Sequence, residues 1–222
     1  AYNLPRRLKN TFAVLMVGYA VVHSSLLFQT ITNNHILTPI TMGLDNLHMF
    51  FHTIVVFFLV SRHLAMTRDT TSFLLTLILM VGASLLLFLL MFRGNEQNVY
   101  FLVLVGMIFG TLFGGMSNFM QMLIDPNEYS ILEGLMFASF NRINTDFLQI
   151  AAIIIIVVFL VSIRDMNQLD ALSLGRHNAV NLGINYRRLV LRSLIIVALL
   201  TSVATVLVGP VSFLGILVIS LT

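Results

Sequence analysis

Long stretches of this chain carry no Asp, Glu, Lys or Arg. They run over residues 10–44, 46–61, 70–92, 97–124, 147–163 and 193–222. Trimmed to their apolar cores, they predict helices near 11–31, 44–60, 71–92, 99–124, 147–163 and 189–208. Most approach the roughly 20 residues that a helix needs to cross the hydrocarbon core of a bilayer. A seventh apolar piece, 211–222, follows Gly209-Pro210. None of the runs alternates with the period of two that a lipid-facing barrel strand requires. Backbone groups in lipid must pair within their own segment, so helices remain. The pattern predicts an all-α polytopic membrane protein with one transmembrane domain over 1–222. The chain is expected to be cut at both ends. The piece 211–222 stops inside an element, and Leu4-Pro5-Arg6-Arg7 reads as a loop entering a helix.

Composition agrees with the pattern. Of 222 residues, 58% are hydrophobic and only 9% are charged, against about a quarter charged in a soluble domain. That excludes a soluble enzyme and a disordered chain. A net charge of +3, scattered along the chain, excludes a nucleic-acid binder. There is no Cys and no Trp, so no disulfide or thiolate chemistry, and Tyr must serve any interfacial belt. Residues 1–9 are polar and basic without a cleavage-type pattern. Loop arginines and lysines do not orient the chain. Arg93, Arg164, Arg176, Arg187, Arg188 and Arg192 fall on one side, and Arg6, Arg7, Lys9, Arg62, Arg68 and Arg142 on the other.

Ionisable groups inside spans are the first functional candidates in lipid, and here they are few. His23 lies mid-span. His48 and His52 share one helix face at i,i+4; they could ligate a metal, or a haem with His23, or simply pack or face a path. No nucleophilic triad, carboxylate pair or phosphate-binding glycine loop is present, so no catalytic residue and no metal site is assigned. Gly106, Gly110 and Gly114 recur every four residues, with Gly115 adjacent. Such a stripe admits a close neighbour, as tight helix packing or beside a path or interface.

The segment 164–192 is too polar to span and too patterned for a linker. Leu169, Leu172, Leu174, Ala179, Val180 and Leu182 are spaced as in short helices, with Gly175 and Gly183 as punctuation. Asp170 is placed to cap the first of them. The spacing fits a docking knob or an interfacial amphipathic loop.

The motif LSLG-x3-A-x2-LG at 172–183, the pair Arg187-Arg188, and a span closing in VGPVSFLG at 208–215 resemble the FecCD-type permeases. So do Leu4-Pro5-Arg6, Gly18, Gln29, Asn33-Asn34, Pro39 and Gly43 at the front. Asp125-Pro126-Asn127-Glu128 and Phe137-Ala138-Ser139-Phe140-Asn141 are most similar to the iron(III)-siderophore branch, catecholate type. Three features depart from the family pattern, the first being Asn3, where some members carry a second Arg three residues before the LPR arginine. Of about ten family helices the first and last have no counterpart here, and the family's Asn-Pro pair is Asn34-His35.

The resemblance implies a cobalamin-permease-like helical bundle, that of a type II importer with an ATP-binding cassette, in the bacterial cytoplasmic membrane. Its cargo is expected to be a ferric siderophore, or alternatively haem or cobalamin on the same fold. The loop 164–188 becomes the cytoplasmic coupling element, with Leu169, Leu172, Leu174, Gly175, Arg176, Ala179, Leu182 and Gly183 meeting a separate ATPase; His177 adds to the polar contacts. Arg6 and Arg7 then lie outside, where they meet acidic residues of a substrate-binding protein. The path forms between two permeases, identical or paralogous, and is lined by Met116, Ser117, Asn118, Met120 and Gln121, with a gate segment following at 125–144. ATP and Mg belong to the ATPase, and this subunit is expected to bind no cofactor. Its remaining contact is membrane lipid.

Overall fold

A computed structural model describes residues 4–55, 57, 70–92, 99–126, 129 and 147–209. Among the described residues the elements are helical. They are α1 (Leu4–Thr32), a 3-10 turn (Pro39–Met42), α2 (Leu44–Val55), α3 (Thr70–Phe92), α4 (Val99–Leu123), α5 (Leu148–Ser173), the short α6 (Arg176–Asn181) and α7 (Tyr186–Val208). The expected piece 211–222, most of the gate segment and residues 56 and 58–60 at the end of the span 44–60 lie outside the described residues.

The centre of the bundle is α7. Leu189, Val190, Leu194, Val197, Ala198, Leu200, Val203 and Ala204 are all buried, and α1, α3 and α5 pack around it. Of the apolar stretch of α7, 72% is buried inside the bundle, against 22% for α4. The second layer is α2 against α4 and α3, around Leu44, Leu47 and Met80. Two threonines of α7 bond back to its own backbone. Thr201 donates to the carbonyl of Val197, and Thr205 to that of Thr201 at 2.7 Å.

Two helices differ from the sequence reading. Leu4–Thr32 begins before the apolar run, so Leu4-Pro5-Arg6 forms its first turn, where proline is tolerated because that N–H has no intrahelical partner. The apolar run of α5 ends at Ile163, yet the helix continues ten residues to Ser173. Its polar end is held because Ser162, Asp165, Leu169 and Leu172 are buried. Their spacing of three or four residues keeps one face inward. The first of the two expected short helices is therefore the end of α5. Asp170 lies inside it rather than at a cap; its carbonyl accepts from Ser173 Oγ at 2.6 Å.

Candidate functional site

The polar turn between α5 and α7 is tightly built. Gly175, with φ +103°, breaks the line of α5, and its N–H reaches the carbonyl of Leu172 at 2.9 Å. Six helical residues follow. They close when Gly183, with φ +82°, donates to the carbonyl of Val180 at 2.9 Å and Ile184 donates to that of Ala179 at 3.1 Å. That pair of bonds is a Schellman closure, which needs a left-handed residue where Gly183 stands. Asn185 then caps α7, its Oδ1 accepting from the N–H of Arg188 at 3.2 Å. Asn178 Nδ2 donates to the carbonyl of Leu174 at 2.7 Å, and the Arg176 guanidinium lies 4.9 Å from the centroid of Tyr186.

The turn divides the residues expected to meet a partner. Leu169, Leu172 and Ala179 are buried within the chain itself; they hold the turn and present nothing outward. Leu174 and Leu182 are each 67% exposed, with Val180 at 50%. Arg176 and His177 are exposed. The outward apolar surface is thus Leu174, Val180 and Leu182, carried on a glycine-bounded frame.

On α4 the expected path residues fall on different sides. Met116 and Asn118 are exposed, Met120 and Gln121 half-buried, and Ser117 buried. Ser117 Oγ and Thr53 Oγ1 are 2.8 Å apart, and Gln121 Nε2 donates to Ser117 Oγ at 2.9 Å. Ser117 and Gln121 therefore join α4 to α2. The open side of α4 carries Leu104, Ile108, Leu112, Phe119 and Met122 with Met116. The glycine stripe faces the other way. A Cβ on Gly110 would stand 2.6 Å from Cα of Gly43, and one on Gly43 would stand 2.3 Å from Cα of Gly110. Gly43 also holds φ +76°. The stripe is a close intrachain contact, with Gly106 and Gly110 against the 3-10 turn and the Gly43 that closes it, and Gly114 against Asn46 of α2.

The histidines are not gathered into one centre. His23 Nε2 is 2.7 Å from Ser162 Oγ on α5, and its ring stacks on Tyr19 at 5.4 Å. His48 is fully enclosed on α2, edge-on to His52 at 4.4 Å. Among the described residues no three His, Cys, Asp or Glu could hold a metal. An enclosed His48 has no face left for a macrocycle, so the haem-subunit alternative is not supported by this geometry. Arg7 is exposed at the start of α1, and Arg6 lies in the same helical turn.

One charged pair was not anticipated. Arg192 Nη1 donates to Asp165 Oδ1 at 2.7 Å, across the gap between α5 and α7, and Asp165 is 2% exposed. The sequence signal is symmetrical. Asp165 follows the end of one apolar run by two positions, and Arg192 immediately precedes the next.

Comparison with known proteins gives this geometry its family. Residues 3–221 match the FecCD transport family. The chain belongs to that family. It is 48% identical over 220 residues to the petrobactin import system permease protein YclO of Bacillus subtilis, covering 99% of this chain and 70% of YclO. Two petrobactin import permeases of Bacillus anthracis, FatC and FatD, are 36% and 25% identical, covering 94% and 96% of this chain and 60% and 61% of their own lengths. A putative metal-chelate type ABC transporter in an inward-facing conformation shares the fold with a TM-score of 0.82 at 21% identity, covering 96% of this chain and 66% of that one. The FecCD chain thus spans about 60 to 70% of the length of these relatives. Among the described residues, four of its helices are long and apolar enough to cross a membrane. It is a multi-pass transport protein of the bacterial cytoplasmic membrane.

Proposed function

We propose that this FecCD chain is the translocation subunit of an ATP-driven importer for a ferric siderophore, of the kind its petrobactin-importing relatives serve. The observation that carries the reading is the preformed turn between α5 and α7. It is rigid from within, through Leu169, Leu172 and Ala179, and apolar without, through Leu174 and Leu182. Such a knob transmits force when a partner grips its outer face. The partner is a separate ATPase that holds the ATP and Mg, with this subunit binding no cofactor. On that reading the turn is cytoplasmic and Arg6 and Arg7 face outward, where an acidic binding protein meets them; complementary charge sets encounter rate and register.

The path lies between two permeases. B. anthracis has two permeases named for petrobactin import, and this chain is closer to FatC than to FatD. That difference favours a paralogous second permease over an identical copy. The open side of α4, with Met116 and Asn118, lines the path as an uncharged, soft wall on which a bulky complex finds no tight site. Nucleotide binding draws the two coupling turns together and shifts the balance between two packings of the permease pair.

The test is ATP-dependent uptake of radiolabelled ferric siderophore by the full transporter carrying Leu174→Asp. A charge forced into an apolar contact is strongly unfavourable. Uptake and copurification of the ATPase are expected to be lost at unchanged membrane levels. Normal uptake together with normal ATPase binding would overturn the coupling assignment. Competition by unlabelled haem or cobalamin at wild-type levels would overturn the siderophore assignment alone.

A further inference from the structure

Where α5 and α7 part below their apolar runs, the structure holds a cavity of about 370 Å³. Its polar lining is Arg164, Asp165, Gln168, Asn185, Arg188 and Arg192. Three arginines against one carboxylate leave it two positive charges in excess. Arg192 uses one N–H on Asp165. Arg164 and Arg188 are exposed and have no acidic partner among the described residues. A guanidinium offers five donors in a fixed fork, a geometry matched to phosphate oxygens.

The position of the cavity says which phosphate. Arg164 follows directly on the apolar run ending at Ile163, and Arg192 directly precedes the run starting at Ser193. The basic residues therefore stand at the boundary between hydrocarbon and water. Above them on α5, Ile153, Val157 and Leu160 share the helix face of Arg164 and are each more than half exposed. On α7, Ile195, on the face of Arg188 and Arg192, is also exposed. An apolar lane running into a basic cavity matches an amphiphile with its acyl chains in the lane and its phosphate below. A soluble phosphate would have no use for the lane.

We propose that this cavity is a binding site for the headgroup of an anionic phospholipid, with Arg164 and Arg188 on the phosphate and Asp165 fixing Arg192 beside it. The site sits at the root of the coupling turn, since Gly183 and Ile184 also line it. A bound lipid would brace the end of α5 against the start of α7. The proposal needs the chain to lie in a bilayer and does not depend on which cargo is carried.

Native mass spectrometry of the detergent-solubilised full-length transporter tests it, with phosphatidylglycerol, phosphatidylcholine or inorganic phosphate added in turn. Phosphatidylglycerol adducts are expected to survive activation far better than phosphatidylcholine adducts. In the double variant Arg164→Gln/Arg188→Gln the preference is expected to fall about tenfold or more. Arg176→Gln, outside the cavity, is expected to keep it. Equal retention of the two lipids by the wild-type protein would overturn the site without reference to any variant. Unchanged preference in the double variant would place the lipid elsewhere and overturn it as well. Displacement of phosphatidylglycerol by millimolar inorganic phosphate would identify a soluble anion site and overturn the lipid assignment.

Discussion

At the scale of single residues the glycines make the sharpest claim. Gly43 and Gly110 are in backbone contact, and Gly43 sits in the left-handed region as well. Gly43→Ala is expected to cost on the order of 1–2 kcal/mol from the backbone alone, with the clash added. Gly110→Ala, which would meet backbone rather than a flexible side chain, should also lower the unfolding temperature. Gly115→Ala meets nothing within 4 Å and should be neutral. Thermal unfolding in detergent, read by fluorescence-detected gel filtration, ranks the three; a neutral Gly110→Ala would deny the close approach. The Asp165–Arg192 pair is asymmetric in burial, so its deletions should be too. Arg192→Ala leaves a buried carboxylate unpaired and should cost about 1–3 kcal/mol, whereas Asp165→Asn keeps an acceptor and removes the buried charge, so it should cost less. Equal losses in the same assay would contradict the asymmetry. The glycine repeat was legible in the sequence because small residues at four-residue spacing have few uses in lipid. Its partner was not, because nothing in 106–114 tells whether the approaching backbone belongs to this chain or another.

At the scale of elements, the turn between α5 and α7 separates frame from surface. Gly183→Ala strains the Schellman closure without touching Leu174 or Leu182. It is expected to weaken ATPase binding in proportion to the disorder it brings to 176–184, seen as faster amide exchange there. Unchanged exchange with lost binding would mean that Gly183 touches the partner directly. Leu172→Asp is expected to prevent accumulation of folded protein, whereas Leu174→Asp should accumulate normally; the pair separates the buried half of the knob from the exposed half. The sequence showed apolar residues at helical spacing in 169–182 and two punctuating glycines, and so revealed that a compact turn exists. It could not sort Leu172 from Leu174, which differ by two positions and belong to opposite sides. Nor did it show that α5 continues to Ser173. The apolar run stops at Ile163, and only the inward face of Ser162, Asp165, Leu169 and Leu172 carries the helix on, a period that the intervening polar residues obscure.

At the scale of the whole molecule, burial is unevenly spread, and the imbalance points to what the chain lacks alone. The central helix α7 is enclosed by neighbours, while among the described residues α4 is held mainly along one side, through the glycine stripe, Ser117 and Gln121. Its other side shows Leu104, Ile108, Leu112, Phe119 and Met122. The outer face of α5 is as apolar, with Ile153, Ile156, Val157 and Leu160 exposed. Hydrophobicity cannot separate a lipid-facing surface from a protein-facing one, because acyl chains are as apolar as leucine. Two features do separate them. The face of α5 ends in the arginines of the lipid-headgroup cavity, whereas that of α4 carries Asn118 and leads to Asp125 and Pro126. The second permease should therefore cover α4 and leave α5 to lipid. A benzophenone amino acid placed at Phe119 and, separately, at Ile156 of the full transporter in native membranes tests this on illumination. The Phe119 position is expected to give an adduct of about twice the permease mass, whether the second permease is identical or a paralogue. The Ile156 position is expected to give lipid adducts and no such dimer. The reverse outcome would move the path to α5, and with it the assignment of Met116 and Asn118 to its wall.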